Sequence, residues 1–355
     1  MTELSVGTKK GLFVLEGEPG SEFGVAARAF AGEPVEYALR DPHSGRLLVS
    51  VTNAFYGPKI FFSDDPDSDW TQAEGIALPE GGDHALERIW VITRGEEDGV
   101  LYAGGDPGVL FTSRDGGERW ELNESLWRHR VEEDWQPGGG GLCLHSIVPW
   151  PGEPERLTVA VSAAGVWHTD DGGQTWRRGN AGLVAGYMPD DAREETTQLC
   201  VHSLCRSRVQ PERLFMQFHG GVYRSDDAGQ SWTGIGAGLP SDFGFPLAID
   251  PADPDSAYVI PLGADTDRVT PEGRVRVYET RDGGSSWTPR GEGLPQEHAY
   301  LTILRQAFES RGEGDELELY FGATSGELFG SGDAGATWST TALRLPPVFS
   351  VTAAA

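Results

Sequence analysis

The octapeptide Ser225-Asp226-Asp227-Ala228-Gly229-Gln230-Ser231-Trp232 decides the fold, because it recurs. Its pattern, Ser/Thr-x-Asp-x-Gly-x-x-Trp, also appears in full as Ser113-Asp115-Gly117-Trp120, Thr169-Asp171-Gly173-Trp176, Thr280-Asp282-Gly284-Trp287 and Ser331-Asp333-Gly335-Trp338. A degenerate copy reads Ser63-Asp65-Asp67-Trp70, and the successive tryptophans stand 50, 56, 56, 55 and 51 residues apart. That period matches one four-stranded propeller blade with generous loops. The box itself has the chemistry of a hairpin turn: the Asp accepts backbone N–H bonds, the Gly supplies a positive φ, and the Trp packs between neighbouring sheets.

Placing the box between the third and fourth strands lays out the rest of the chain. In the repeat holding Trp176 the strands are expected at 142–149, 156–162, 165–169 and 174–178, where residues alternate or are β-branched. The same count gives blades at 35–74, 87–123, 142–178, 199–235, 245–290 and 300–342. What remains, strand-like pieces within 1–30 and the tail 347–355, makes a seventh. The fold class is therefore all-β: a single seven-bladed β-propeller over 1–355, its ring closed by strands from both termini so that no edge is left open.

Composition agrees with this. Of 355 residues, 49 are glycine and 23 proline, which means many tight turns and few long helices, while 38% hydrophobic residues suffice for a sizeable core. Fifty-five acidic residues against 28 basic ones leave a net charge of -27, which repels phosphate backbones and anionic lipid, so neither nucleic acid nor membrane is an expected partner. The three cysteines, Cys143, Cys200 and Cys205, show no metal-knuckle spacing, and the N-terminal stretch lacks an apolar signal region. The expected location is cytoplasmic.

The layout sorts the loops between two faces. The boxes and the short Asp-Pro turns at 41–45 and 250–254 share one face; the long segments 71–87, 121–141, 179–198 and 262–274 share the other, where binding and catalysis are expected. Six of the eight histidines, His84, His129, His145, His202, His219 and His298, map to that second face. Aligning Cys143-Leu144-His145-Ser146-Ile147 with Cys200-Val201-His202-Ser203-Leu204 sets two imidazoles at equivalent positions at the channel mouth. Equivalent positions in the other blades are Glu36, Arg88 with Glu87 beside it, Phe245, Tyr300 and Phe349.

A ring of this kind supports two chemistries. His145, His202 and His219 are candidate ligands for one divalent transition metal, with Glu36 or Glu87 as a further ligand or base. Without a metal, His145 or His202 would serve as general base, Tyr300 as acid, and Arg88 would stabilise negative charge. Lesser candidates are the Gly138–Gly141 run as a close-approach loop, Asp265, Asp267 and Glu272 as cation or hydroxyl ligands, Lys9 and Lys10 as carboxylate contacts, and Asp106 as a turn former.

The boxes and their spacing resemble the Asp-box, or BNR-repeat, family, which includes sialidases, xyloglucanases and sortilin-type receptors; the chain looks most like its bacterial sialidase-like members of unassigned role. The resemblance covers nearly the whole chain and implies a propeller, but the box serves enzymes and receptors alike. Sialidases of this fold carry three carboxylate-clamping arginines and an Arg-Ile-Pro segment. Here Arg-Ile-Pro is missing and only Arg88 starts an inner strand, so sialidase activity is not expected. The expected function is a soluble hydrolase or lyase acting on a small carbohydrate or similar polar metabolite, in the manner of the propeller polysaccharide lyases. The alternative is a non-catalytic propeller that binds a protein or small ligand. An aromatic or amine substrate is a third possibility, suggested by the acidic field and by Trp127, Trp135, Phe243 and Phe245.

Overall fold

In the structure, a computed structural model that describes every residue except 68, 82–83, 194–197 and 355, the five complete boxes form one and the same turn. The Ser or Thr hydroxyl donates to the Asp Oδ1 at 2.7–2.8 Å and accepts the box glycine N–H at 2.8–2.9 Å. The same Oδ1 accepts the N–H four residues beyond the Asp, at 2.9 Å from Ser231 for example. Gly229 takes φ 85°, a conformation that costs a side chain dearly. Each box Trp ties its sheet either to its own turn or to the chain leaving the preceding sheet: Trp232 Nε1 reaches the Gly179 carbonyl at 2.8 Å and Trp287 Nε1 that of Ile235 at 2.7 Å. The degenerate copy departs from the pattern, since Ser63 Oγ donates to the Asp65 main-chain oxygen instead.

The turns punctuate five four-stranded antiparallel sheets and one eight-stranded sheet. The four-stranded sheets open on strands Val35–Arg40, Arg88–Arg94, Leu144–Trp150, Val201–Arg206 and Gly244–Ile249. The eight-stranded sheet is two such units in series. The strands from Ile303–Arg311 to Ser339–Ala342 make one, and Val348–Ala353 with Thr2–Thr8, Gly11–Gly17 and Gly24–Ala29 make the other, joined by a single parallel pairing of Gln306 with Ser350. The C-terminal strand is therefore the innermost strand of a unit whose other strands are N-terminal. The first strand of each unit packs on the first strand of the next, and the series returns to its start, where Val348–Ala353 meets Val35–Arg40.

The core lies between the sheets. Leu12 and Val14 pack with Val35, Ala38, Leu47 and Val49 of the neighbouring sheet, and Leu48 and Ile60 with Ile89, Ile92 and Leu101 of the next. Each such fully buried aliphatic side chain is worth about 1.5–3 kcal/mol. The segment 121–141, read from sequence as a long loop, contains a helix, Glu124–Glu132. Asn123 caps it by accepting the Leu126 N–H at 2.9 Å, and the helix buries Leu126 and Arg130. Its nine residues are too few for a periodic signal to stand out. Among the described residues, no helix is long and apolar enough to cross a membrane.

Candidate functional site

Every innermost strand carries a register shift against its neighbour near one end. The shift falls around Glu36, Trp90, His145 and His202, across Phe245–Pro246 and across 304–307, and opposite Gly7/Thr8 where Phe349 is passed over. A bulge of this kind leaves an extra residue unpaired and re-aims its side chain. Arg88 and Tyr300, expected at these positions from sequence, are displaced from them: Trp90 stands at the shift in the strand Arg88–Arg94, and Arg305 lies within the shift in the strand Ile303–Arg311.

These residues touch one another around the channel mouth. Glu36 Oε1 lies 3.3 Å from Arg88 Nε. Arg88 stacks over Trp90 at 4.9 Å, Arg305 lies over the same ring at 5.7 Å, and Arg305 also covers Phe245 at 5.0 Å. Phe245 packs on His202 (4.9 Å), His202 on His219 (5.3 Å), and His219 on Tyr187 (4.4 Å). Part of this ring lines a cavity of about 310 Å³, bounded by the Gly138–Gly140 backbone, Tyr187, Cys200, His202, His219, Phe243, Phe245, Asp265, Arg268 and Arg305.

The two paired histidines diverge chemically. His145 is almost wholly buried; its Nε2–H donates to the Val201 oxygen and its Nδ1 accepts from Ser146 Oγ, both at 2.9 Å, so neither nitrogen is left for a ligand. His202 donates Nδ1–H to the Gly244 oxygen at 2.6 Å, which leaves the Nε2 lone pair free. Burial, with the Arg305 charge adding to it, brings His145 down to about 3 and holds His202 well below the usual imidazole range, so both are neutral at pH 7. His219 is lowered by burial as well, with Asp265 Oδ2 opposing from 3.8 Å off its Nε2.

The expected metal set of His145, His202 and His219 is not brought together. Cys200 stands in place of His145: ligand atoms of Cys200, His202 and His219 all lie within 4.8 Å of one another. Tyr300 is 61% exposed and lies over Gly273, where an added Cβ would come within 3.0 Å of its ring. Glu36 is buried, and burial raises its carboxyl against the opposing Arg88 charge. Of the lesser candidates, Asp265 lines the cavity, Glu272 pairs with Arg276 at 3.6 Å, and Lys9 and Lys10 are exposed. Glu87 and Asp106 line a second cavity of about 360 Å³ with His84, Arg130 and Trp135.

Arg305 is the residue that sequence reasoning missed. Its Nε is buried without a hydrogen-bond partner, and the charged group acting on it is another cation, Arg268, since Cys143 and Cys200 beside it are neutral thiols whose burial raises them. Leaving that one buried N–H without a hydrogen bond costs about 1–3 kcal/mol, which a purely structural role would not require. The available signal was an arginine at the end of the otherwise uncharged run Leu301-Thr302-Ile303-Leu304-Arg305.

No protein-family profile and no curated protein matches the chain. Solved structures do. The GH74 xyloglucanase from Xanthomonas campestris superposes with a TM-score of 0.63 at 17% identity, covering 95% of this chain and 52% of that one. This chain spans about half the length of that enzyme, and 36% of an ancestral GH74 enzyme. YCF48 from Cyanidioschyzon merolae matches at 0.53 and 14% identity, over 87% of this chain and 86% of its own. The β-propeller domain of Cps50 (Swd1) from Myceliophteria thermophila matches at 0.54 and 11%, over 89% and 90%. At such identities the likeness concerns the fold, and with the closed series of sheets it defines the chain as a β-propeller.

Proposed function

We propose that the chain is a seven-bladed Asp-box propeller, one domain over 1–355, and that it is an enzyme of hydrolase or lyase type acting on a small polar metabolite, carbohydrates included, in the channel-mouth cavity. The observation that carries this reading is the convergence of His202, with a free Nε2, and the unpaired Arg305 on one aromatic-walled cavity. In it, His202 accepts a proton from the ligand and Arg305 stabilises the negative charge that develops. The likeness to GH74 enzymes makes glycosides the first class to screen. His202→Ala should then lower kcat about 10²- to 10⁴-fold; turnover unchanged in that variant would sink the proposal.

A metal-assisted form is favoured by the mutual distances of Cys200, His202 and His219. A thiolate and two imidazoles suit zinc, which would act there as a Lewis acid. A scaffold role is supported by the likeness to YCF48 and the Cps50 domain, whose lengths this chain nearly covers. Ligand or peptide binding without turnover, unaffected by His202→Ala, would select that reading.

A further inference from the structure

The charge inside the cavity is opposite in sign to that of the chain. Against a net charge of -27, its lining holds two guanidinium groups and one carboxylate, Asp265, which lies towards His219. Arg268 covers Phe245 at 5.5 Å and donates its Nε–H to the Asp265 main-chain oxygen at 2.9 Å, which leaves its terminal nitrogens uncommitted to that bond. Arg305 covers the same ring at 5.0 Å. Two cations thus lie against one aromatic ring, and neither forms an ion pair among the described residues.

The remaining walls are aromatic. Phe243 and Phe245 are buried and meet at 5.1 Å, and Phe243 packs edge-on against His202 and His219. Besides the histidines and arginines, the hydrogen-bonding side chains of the lining are Gln198, Asp265, the Cys200 thiol and Tyr187, whose hydroxyl is already engaged with the Gln198 oxygen and the Cys200 N–H. A ligand bearing many hydroxyls would leave most of them unpartnered here, whereas a flat apolar ring would not.

We infer that Arg305, flanked by Arg268, receives the carboxylate of a small aromatic acid whose ring packs among Phe243, Phe245 and Tyr187. This rests on the cavity being the functional site and narrows the ligand class proposed for it. A planar carboxylate matches the guanidinium fork and would supply the partner that Arg305 lacks. Phosphate, with more charge and no flat face, would leave the aromatic walls unused.

The test is binding of benzoate to the full chain, by calorimetry, with benzamide, glucuronate and inorganic phosphate as comparators. Benzoate should bind, benzamide should bind at least tenfold more weakly, and Arg305→Gln should weaken benzoate at least tenfold. The melting temperature of Arg305→Gln should equal or exceed that of the parent, because the variant removes a half-buried charge that has no ion-pair partner among the described residues. A fall in melting temperature would assign Arg305 a structural role and overturn the inference. So would benzamide binding as well as benzoate, glucuronate or phosphate binding more tightly, or no benzoate binding at all. If glucuronate binds and His202→Ala abolishes it while benzoate is ignored, the cavity stands as the functional site and only the aromatic acid falls.

Discussion

Gln306 donates its side-chain N–H to the main-chain oxygen of His145 at 2.6 Å, bridging 161 positions of sequence and two inner strands on opposite sides of the ring. The bonded Gln306 follows Arg305 directly in the chain. It also fixes the backbone of the strand that carries the bulged His145. Gln306→Ala should cost about 1 kcal/mol, the worth of one hydrogen bond, seen as a lower urea midpoint with an unchanged slope.

The boxes offer an internal control in two adjacent aspartates. Asp227 accepts from Ser225 Oγ and from the Ser231 N–H and hydroxyl, whereas Asp226 makes ion pairs with Arg213 and Arg224 near the surface. Asp227→Ala should destabilise by about 2 kcal/mol, and Asp226→Ala by less than about 1 kcal/mol. Equal effects in denaturant titrations would contradict the turn chemistry assigned here.

The box carboxylates should also govern the acid limb of stability. Hydrogen bonds from Thr175 and Ser286 hold Asp171 and Asp282 at about 2. A carboxylate with a lowered native pKa stabilises fully above its unfolded value near 4 and loses that contribution as pH falls towards 2. Asp282→Asn should flatten the fall of the melting temperature over that window.

Two buried histidines act at higher pH. Burial brings His145 to about 3 and His168 to about 4, so each stays neutral in the native state while the unfolded chain takes up protons below about 6.5. Stability should therefore be complete above that value and should fall as pH drops through it, by about 2 kcal/mol per histidine at pH 5. His168→Gln should remove one such share, read as the difference in unfolding free energy between pH 7 and pH 5.

Metal binding separates the set expected from sequence from the one the fold assembles. If the site takes a divalent ion, Cys200→Ser should weaken cobalt(II) binding by orders of magnitude and abolish any thiolate-to-metal absorption band, while His145→Gln should leave both in place. The opposite pattern would restore His145 as a ligand.

The boxes made the architecture legible because each combines four residue types at fixed spacing, and one turn satisfies them all. Strand positions followed by counting outward from the turns, and the placing of His202 and His219 on one face came from the same count. Bulges broke it. A register shift of one to three residues is invisible in alternation, so Trp90 and Arg305 occupy the places expected for Arg88 and Tyr300. The fate of the two aligned histidines was equally hidden: His145 and His202 have the same sequence surroundings and each gives one N–H to a carbonyl of the next sheet, but Ser146 Oγ takes the second nitrogen of His145. Arg305 looked like an ordinary charged residue because nothing in the sequence shows that no acid lies beside it.

The seam at Val348–Ala353 has a consequence for biosynthesis. This strand lies between Thr2–Thr8 and Ile303–Arg311, so strands of this propeller that are made early and late in synthesis must meet there. Until that strand emerges from the ribosome, the unpaired edges flanking the gap remain available to any matching segment. A second copy's final strand fits the gap as well as its own, which makes reciprocal exchange of this one strand the natural misassembly route at high expression, and the fraction of exchanged dimer a sensitive gauge of how well the last step of folding competes.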